Sequence, residues 1–142
     1  MADDDAARND LLPNASHGIH GLLGVRALEV TGDRVVLELD VTSTVHQPYG
    51  LLHGGVSALL AESAASMGGA VSVAPERGVV GIEINASHLR GLRDGVLRAT
   101  ATPVRKGRTV QVWHIALSDG EGRAICDARC TLAVVDRPPL DG

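Results

Sequence analysis

Residues 46–71, HQPYGLLHGGVSALLAESAASMGGAV, decide the fold of this chain. The segment opens with a turn-rich lead and continues from Gly54 as a run of small and apolar residues. Ala, Leu, Met and Ser favour a helix, and apolar residues occupy every side of the run. The pattern therefore predicts a helix over 54–71 that protein surrounds on all sides. Such a helix needs a sheet curled around it.

One carboxylate, Glu62, interrupts the apolar helix, and the run contains no Lys or Arg to pair with it. Burying an unpaired carboxylate costs roughly several kcal/mol, which makes Glu62 a candidate catalytic residue. The alternative is a structural carboxylate that is bonded to backbone. At the helix start, Gly54 and Gly55 present N–H groups at the positive end of the helix dipole. Such groups suit a developing oxyanion.

The segments on either side of the helix show the two-residue period of strands. Residues 25–30 and 35–41 flank a short turn, after a Gly-punctuated helical turn at 17–24. In the second of these strands one face is predicted to hold Val35, Leu37, Leu39 and Val41. Residues 79–89 also alternate, and one face is predicted to hold Val80, Ile82, Ile84, Ala86 and His88.

Three more strands are predicted at about 96–104, 109–118 and 124–135, joined by Gly-containing turns typical of antiparallel hairpins. Two strands, one helix and four strands indicate the α+β class. The predicted architecture is a curled antiparallel sheet of about six strands wrapped around one long central helix.

Composition argues against several functional classes. The chain has 142 residues and a net charge of −4, much of it in the first ten residues, so the body is nearly neutral. A neutral body with only Tyr49 and Trp113 as aromatics argues against nucleic-acid binding. Glu62 and the serines of the helix argue against a membrane span. We expect a cytoplasmic protein with a disordered acidic tail over 1–12, no signal peptide, and a single domain over 13–142.

Cys126 and Cys130 lie four residues apart in a strand-like segment, so their Cα atoms are about 13 Å apart, beyond disulfide reach. They are predicted to be small core residues on the same side as Ala124, Ala128 and Leu132. No nearby His completes a metal site, so neither a metal nor a cofactor is expected.

The order of motifs resembles one known family. Gln47, Pro48, Gly50, His53-Gly54-Gly55 and Glu62, followed by VVGIEINASHLR from Val79, are similar to the hot-dog-fold acyl-CoA thioesterases. The closest resemblance is to the branch with a glutamate on the helix, which contains 4-hydroxybenzoyl-CoA and 1,4-dihydroxy-2-naphthoyl-CoA thioesterases. The resemblance covers roughly residues 20 to 135 and implies hydrolysis of an acyl-CoA, with an aromatic acyl group favoured.

The resemblance also implies roles for individual residues. The Gly54 N–H would hold the thioester oxygen, with Gln47 and His53 in support, and Glu62 would act as nucleophile or as general base. Ser66, one turn after Glu62, would orient the carboxylate or a water. The coenzyme A part of the substrate would contact residues at a strand end and at turns. These are Asn85, Ser87, His88, Arg90, Lys106 and Arg108, with Arg93 as a further candidate.

Helix geometry constrains how such a site is built. Gly54 and Glu62 are eight residues apart, which separates them by about 12 Å along the axis. If both act on one thioester, Gly54 of one subunit must meet Glu62 of another, which predicts a two-fold homodimer with composite sites. The resemblance implies the same assembly, often as a dimer of dimers.

Two other functions stay open from sequence. One is a hot-dog hydratase or dehydratase, although the motifs characteristic of those enzymes are missing. The other is a non-catalytic module that binds coenzyme A or an acyl carrier, in which Glu62 and the polar loop residues have only structural roles.

Overall fold

The computed structural model describes residues 18–137, and the predicted tail at 1–12 lies outside them. Within residues 18–137, two helices and six strands follow one another, with a 3₁₀ turn at Ser43–Val45. The helices are α1 (Gly18–Leu23) and α2 (Gly54–Val71). The strands are β1 (Arg26–Val30), β2 (Val35–Val41), β3 (Arg77–His88), β4 (Gly95–Lys106), β5 (Val110–Asp119) and β6 (Ala124–Asp136).

The six strands form one antiparallel sheet in the order β1-β2-β4-β5-β6-β3. This confirms the predicted α+β class, the single long helix and the hairpins. Strand β3 lies at an edge of the sheet because it pairs only with β6 among the described strands, and its Gly81 lies against Glu62 of α2. The helix that carries Glu62 therefore lies close to an open sheet edge.

Helix α2 packs one side against the concave face of the sheet. Leu60, Ala61, Ala64 and Ala65 on that side are fully buried, and Gly68 lets the helix pass directly over the Trp113 ring. The opposite side, which includes Leu59 and Ser66, is only half-buried. The expectation that protein surrounds α2 on every side is therefore wrong within one chain.

Strand β3 contains an irregularity that the sequence period did not reveal. A β-bulge between Gly81 and Glu83 shifts the register against β6. Because a bulge adds one residue, side chains before and after it exchange faces. Val79, Ile84 and Ala86 pack against the core, whereas Val80 and Ile82 are exposed. The prediction that Val80 and Ile82 share a face with Ile84 is wrong.

The outer face of β2 is also more covered than simple alternation predicts. Glu38 is only 9% exposed because Arg98 Nε donates to its carboxylate at 2.7 Å and Arg26 lies beside it.

On β6, Cys126 and Cys130 are buried free thiols, as predicted. Ala124 is exposed rather than buried with them.

Candidate active site

Two cavities lie beside α2, and they are lined by different residues. The first, of about 750 Å³ and here called the carboxylate cavity, is lined by His20, Gly55, Ala58, Leu59, Glu62, Ser63, Ser66, Met67, Ala70 and Val79. The second, of about 360 Å³ and here called the donor cavity, is lined by Gln47, Leu51, Leu52, Gly54, Ser57, His88, Leu89, Arg90, Gly91 and Ile125. Glu62 and Gly54 thus face different cavities within one chain.

The carboxylate of Glu62 is half-buried, and no hydrogen bond or ion pair joins it to another side chain in residues 18–137. Ser66 lies one turn further along the helix and lines the same cavity. The Glu62 charge also acts on a residue of the sheet. Burial, together with the negative charges of Glu62 and Glu83, raises the pKa of the Cys130 thiol to about 11. Glu62 is thus an unpaired carboxylate in a mostly apolar cavity, the setting in which functional carboxylates occur.

Gly81 provides the space that the Glu62 carboxylate occupies. A methyl group built on Gly81 would overlap Glu62 Oε1, so any larger residue there would displace the carboxylate. Gly81 lies at the β3 bulge, where close backbone approach is common. The bulge and the glycine together fit the edge strand against the side of α2 that carries Glu62.

The lead into α2 is a tight turn that is fixed to the loop after β3. Gly50 N donates to Gln47 O at 2.9 Å, and Gly50 adopts a left-handed φ of 78°. The turn is anchored because Leu52 N donates to Leu92 O at 2.7 Å. These contacts bring Gln47 to the same cavity as Arg90, although the two are far apart in sequence. Gln47 Oε1 accepts from Tyr49 N, so this side chain also supports its own turn.

His53 is the N-cap of α2. Its Nδ1 accepts a hydrogen bond from Gly55 N at 2.8 Å, and its carbonyl accepts from Val56 N at 3.0 Å. These contacts engage two of the N–H groups that every helix start leaves without intrahelical partners. Among residues 18–137, no acceptor contacts the Gly54 N–H. The cap therefore leaves Gly54 as the available donor at the start of the helix.

His88 lies against Gly54 rather than with the outer polar residues of its strand. A methyl group on Gly54 would be only 2.7 Å from His88 Nε2, so the imidazole occupies the space that a side chain would fill. From the sequence, His88 was predicted to contact the coenzyme A part of the substrate. The structure places it at the start of the helix, beside the donor that faces the oxyanion in the predicted mechanism.

The other residues predicted to contact coenzyme A lie in separate places. Arg90 lines the donor cavity, and Ser87 is exposed on β3. Asn85 donates to Glu83 Oε1 at 2.9 Å on the exposed surface. Lys106 and Arg108 line a third cavity, here called the cationic cavity, with Arg77 and Ser72 at the other end of α2. One chain therefore does not gather the predicted set into a single site.

His20 is a cavity residue that the sequence analysis did not identify. Its Nε2 lies 2.7 Å from Ser63 Oγ and holds α1 against α2 beside Glu62. Burial lowers the pKa of His20 from its ordinary value of 6.5. The sequence signal was weak, because His20 stands in a short Gly-rich segment without a periodic pattern.

Neither a membrane span nor a metal centre is found in the part of the chain that the structure describes. No helix of residues 18–137 is both long and apolar enough to cross a membrane. Within the same range, no three His, Cys, Asp or Glu side chains are grouped as metal ligands.

Comparison with known proteins places this arrangement in a family. The model of the Thioesterase superfamily matches residues 49–126, more than half of the chain. The chain is 44% identical over 117 residues to a 1,4-dihydroxy-2-naphthoyl-CoA hydrolase from Listeria monocytogenes, covering 82% of this chain and 95% of that protein. It is 41% identical over 115 residues to the hydrolase of that name from Escherichia coli, covering 81% and 85%.

A solved structure shows the same fold. A mutant form of the thioesterase PA1618 from Pseudomonas aeruginosa superposes with a TM-score of 0.86 at 42% identity, covering 91% of this chain and 94% of that one. The architecture and the sequence match thus agree with the resemblance that residues 46–71 indicated. This chain belongs to the thioesterase superfamily, with the hot-dog fold.

Proposed function

We propose that this protein is an acyl-CoA thioesterase that converts an acyl-CoA and water to the free acid and coenzyme A. The observation that carries the proposal is the division of groups between the two cavities. The carboxylate cavity holds the unpaired Glu62, and the donor cavity holds the Gly54 N–H with Gln47 and His88. Thioester hydrolysis needs both kinds of group, a base or nucleophile and an oxyanion donor.

A homodimer with antiparallel α2 helices would join the two sets. If Gly54 of one copy lies beside Glu62 of its partner, each dimer holds two equivalent sites. The half-buried side of α2, with Ala58 and Ala70, provides a small-residue surface on which a second helix can pack, so a partner helix would form part of the wall of the carboxylate cavity. Size determination by light scattering checks for the dimer, and pairing of dimers into a tetramer would appear in the same measurement.

In the proposed reaction, the Gly54 N–H donates to the thioester oxygen and stabilises the negative charge that develops there. Glu62 then acts in one of two ways. As nucleophile it attacks the carbonyl carbon, the C–S bond breaks, and water hydrolyses the resulting anhydride. As general base it removes a proton from the water that attacks the same carbon, the C–S bond then breaks, and the proton passes to the departing thiolate. Both routes release the acid and the thiol of coenzyme A.

Supporting roles follow from the same geometry. Ser66 lies one turn from Glu62 in the same cavity and would orient the carboxylate or the water. Gln47 retains its amide nitrogen as a donor toward the thioester because only Oε1 is engaged by the turn. His53 contributes indirectly, since its cap leaves the Gly54 N–H available.

The coenzyme A arm would extend outward from the donor cavity past Arg90. Aligning Gly54 with Glu62 of a partner places the end of the partner's α2 about 14 Å beyond Gly54 along the axis. The cationic cavity of the partner, with Lys106 and Arg108, would then lie on the same side as Arg90. Phosphates could contact Arg90 of one copy, Lys106 and Arg108 of the other, or both.

We propose that the acyl group is aromatic and that the enzyme acts in the cytoplasm. The apolar walls of the carboxylate cavity, with Leu59, Met67 and Val79, suit a flat apolar group. Two of the relatives are named as hydrolases of a dihydroxynaphthoyl thioester.

Release of free thiol from a panel of aromatic and aliphatic acyl-CoA esters tests the proposal. A thioesterase releases one thiol for each acid formed. A hydratase or dehydratase changes the acyl chain without releasing thiol, and a binding module binds coenzyme A without turnover. Absence of thiol release from every ester by the folded protein would refute the proposed function.

A further inference from the structure

His20 and Ser63 form a polar pair inside the carboxylate cavity that the proposed hydrolysis does not use. His20 is carried by α1, Ser63 by α2, and the two side chains are joined at 2.7 Å. Both line the cavity with Glu62. The pair is half-buried, so a substrate in the cavity would cover it.

The position of Ser63 separates this pair from the catalytic carboxylate. Glu62 and Ser66 are four residues apart and lie on one line along the helix. Ser63 is rotated by about 100° from Glu62 around the axis. The pair therefore lies on a different part of the wall, next to the apolar side chains of Leu59 and Met67.

The chemical state of His20 limits what it can bind. Burial lowers the pKa of His20, which favours the neutral imidazole near neutral pH. A neutral imidazole has one donor and one acceptor nitrogen, and Nε2 is engaged with Ser63. Among residues 18–137, no hydrogen bond or ion pair engages Nδ1. The free nitrogen can pair with a neutral hydroxyl in either role, whereas an anionic group would be repelled by nearby Glu62.

We propose that His20, held in place by Ser63, is a specificity-determining residue that hydrogen-bonds a hydroxyl group on the acyl part of the substrate. The inference rests on the proposed thioesterase function and adds to it the residue that selects the acyl group. Loss of the hydroxyl leaves a buried nitrogen without a partner, which is how polar contacts discriminate between otherwise similar substrates.

The test compares kcat/KM for benzoyl-CoA and for 2-, 3- and 4-hydroxybenzoyl-CoA. The wild type is expected to prefer at least one hydroxybenzoyl isomer over benzoyl-CoA. In His20→Leu, which keeps an apolar wall, that preference should fall by about tenfold, the loss of one hydrogen bond, with benzoyl-CoA turnover largely retained.

A second variant separates recognition from the structural tie between the helices. Glutamine places its amide near the position of Nε2, so His20→Gln can keep the contact with Ser63 but leaves no group at the position of Nδ1. We expect His20→Gln to have the same melting temperature as the wild type. It should nevertheless lose the preference for a hydroxybenzoyl ester over benzoyl-CoA. Retention of the preference in either variant would overturn the proposal, as would a wild type that treats all four esters alike.

The same panel distinguishes failure of this inference from failure of the proposed function. Octanoyl-CoA is added to the panel as an aliphatic ester. If the protein hydrolyses octanoyl-CoA alone, the proposed hydrolysis is confirmed but the role of His20 is overturned. Absence of thiol release from all five esters would overturn both.

Discussion

The carboxylate cavity and the donor cavity differ in the chemistry of their walls. The first holds Glu62 in a mostly apolar surrounding and is the larger, about 750 Å³ against about 360 Å³. The second holds backbone and side-chain donors and the cation of Arg90. Each cavity lacks the group that the other supplies. In the proposed function each chain would carry two half-sites, and the reaction would need half-sites from two copies.

The most severe way to break this division is to neutralise the carboxylate cavity. Glu62→Gln keeps the volume of the side chain but removes the nucleophile or base, so kcat should fall by at least about 10²-fold. Glu83→Gln is the matched control, because Glu83 is a nearby carboxylate on the exposed side of β3. Thiol-release kinetics measure both, and near-normal turnover by folded Glu62→Gln would remove Glu62 from the mechanism.

A smaller loss should follow from moving Glu62 without changing it. In Gly81→Ala the added methyl group would overlap the carboxylate and displace it, which should lower kcat by at least about tenfold. Gly120→Ala is the control, since a methyl group at Gly120 meets nothing within 4 Å. Equal activity of the two variants would show that the position of Glu62 is not critical.

The donor cavity can be examined through the coenzyme A arm. Arg90→Ala should raise KM for an acyl-CoA several-fold and have little effect on an acyl-pantetheine, which lacks the nucleotide phosphates. Arg108→Ala makes the matched change in the cationic cavity. Steady-state kinetics of both variants on both substrates identify which cation contacts the phosphates. Equal KM changes on the two substrates would place the contact of Arg90 elsewhere.

The smallest expected effect concerns the sheet behind Glu62. Burial and the charges of Glu62 and Glu83 raise the pKa of Cys130 from 9.0 to about 11, and burial also raises the pKa of Cys126. The folded state therefore retains the thiol proton longer than the unfolded chain. The contribution of the protonated Cys130 thiol to the stability of the folded state is full below about pH 9 and is lost as the pH rises toward 11.

At pH 8 both thiols should be unreactive toward a thiol reagent in the native protein and reactive after unfolding. Titration with and without denaturant measures this. Rapid reaction of native Cys130 would show that the thiol is accessible, contrary to its burial.

Much of the fold was predictable because local patterns and tertiary packing agree. The apolar run after Gly54 predicted α2 with the observed bounds, and the Gly-containing turns predicted the antiparallel hairpins. The prediction of which side chains share a face of β3 failed, because a contact with another element determines the geometry there. The bulge at Gly81 accommodates Glu62 from a different element, and alternation within β3 carries no information about that contact.

The candidate site was predictable in part for the same reason. Glu62 and Gly54 stood out because a carboxylate in an apolar helix and a glycine pair at its start are local signals. His20 gave no such signal, since its position in the cavity depends on α1 packing beside Ser63. The wide separation of Arg90 from Lys106 and Arg108 likewise follows from topology, which places the loop after β3 and the β4–β5 turn at opposite ends of α2.

The central claim is that one active site combines Gly54 of one chain with Glu62 of another. Two variants that we expect to be inactive test it: Glu62→Ala, and Gly54→Pro, which deletes the N–H that would face the oxyanion. Proline fits the first helical turn, and His53 is already extended at φ −67° and ψ 127°, as the residue before proline requires. The exposed His88 ring must rotate to admit the proline.

Each variant alone should be inactive, whereas a mixed dimer carries one site with both changes and one with neither. The decisive measurement is thiol release after the two variants are mixed, dissociated and reassembled, with exchange of chains verified by mass. At random pairing the mixture should regain about a quarter of wild-type activity, because half of the dimers then carry one intact site of two. A mixture that stays inactive although chains have exchanged would contradict the shared site.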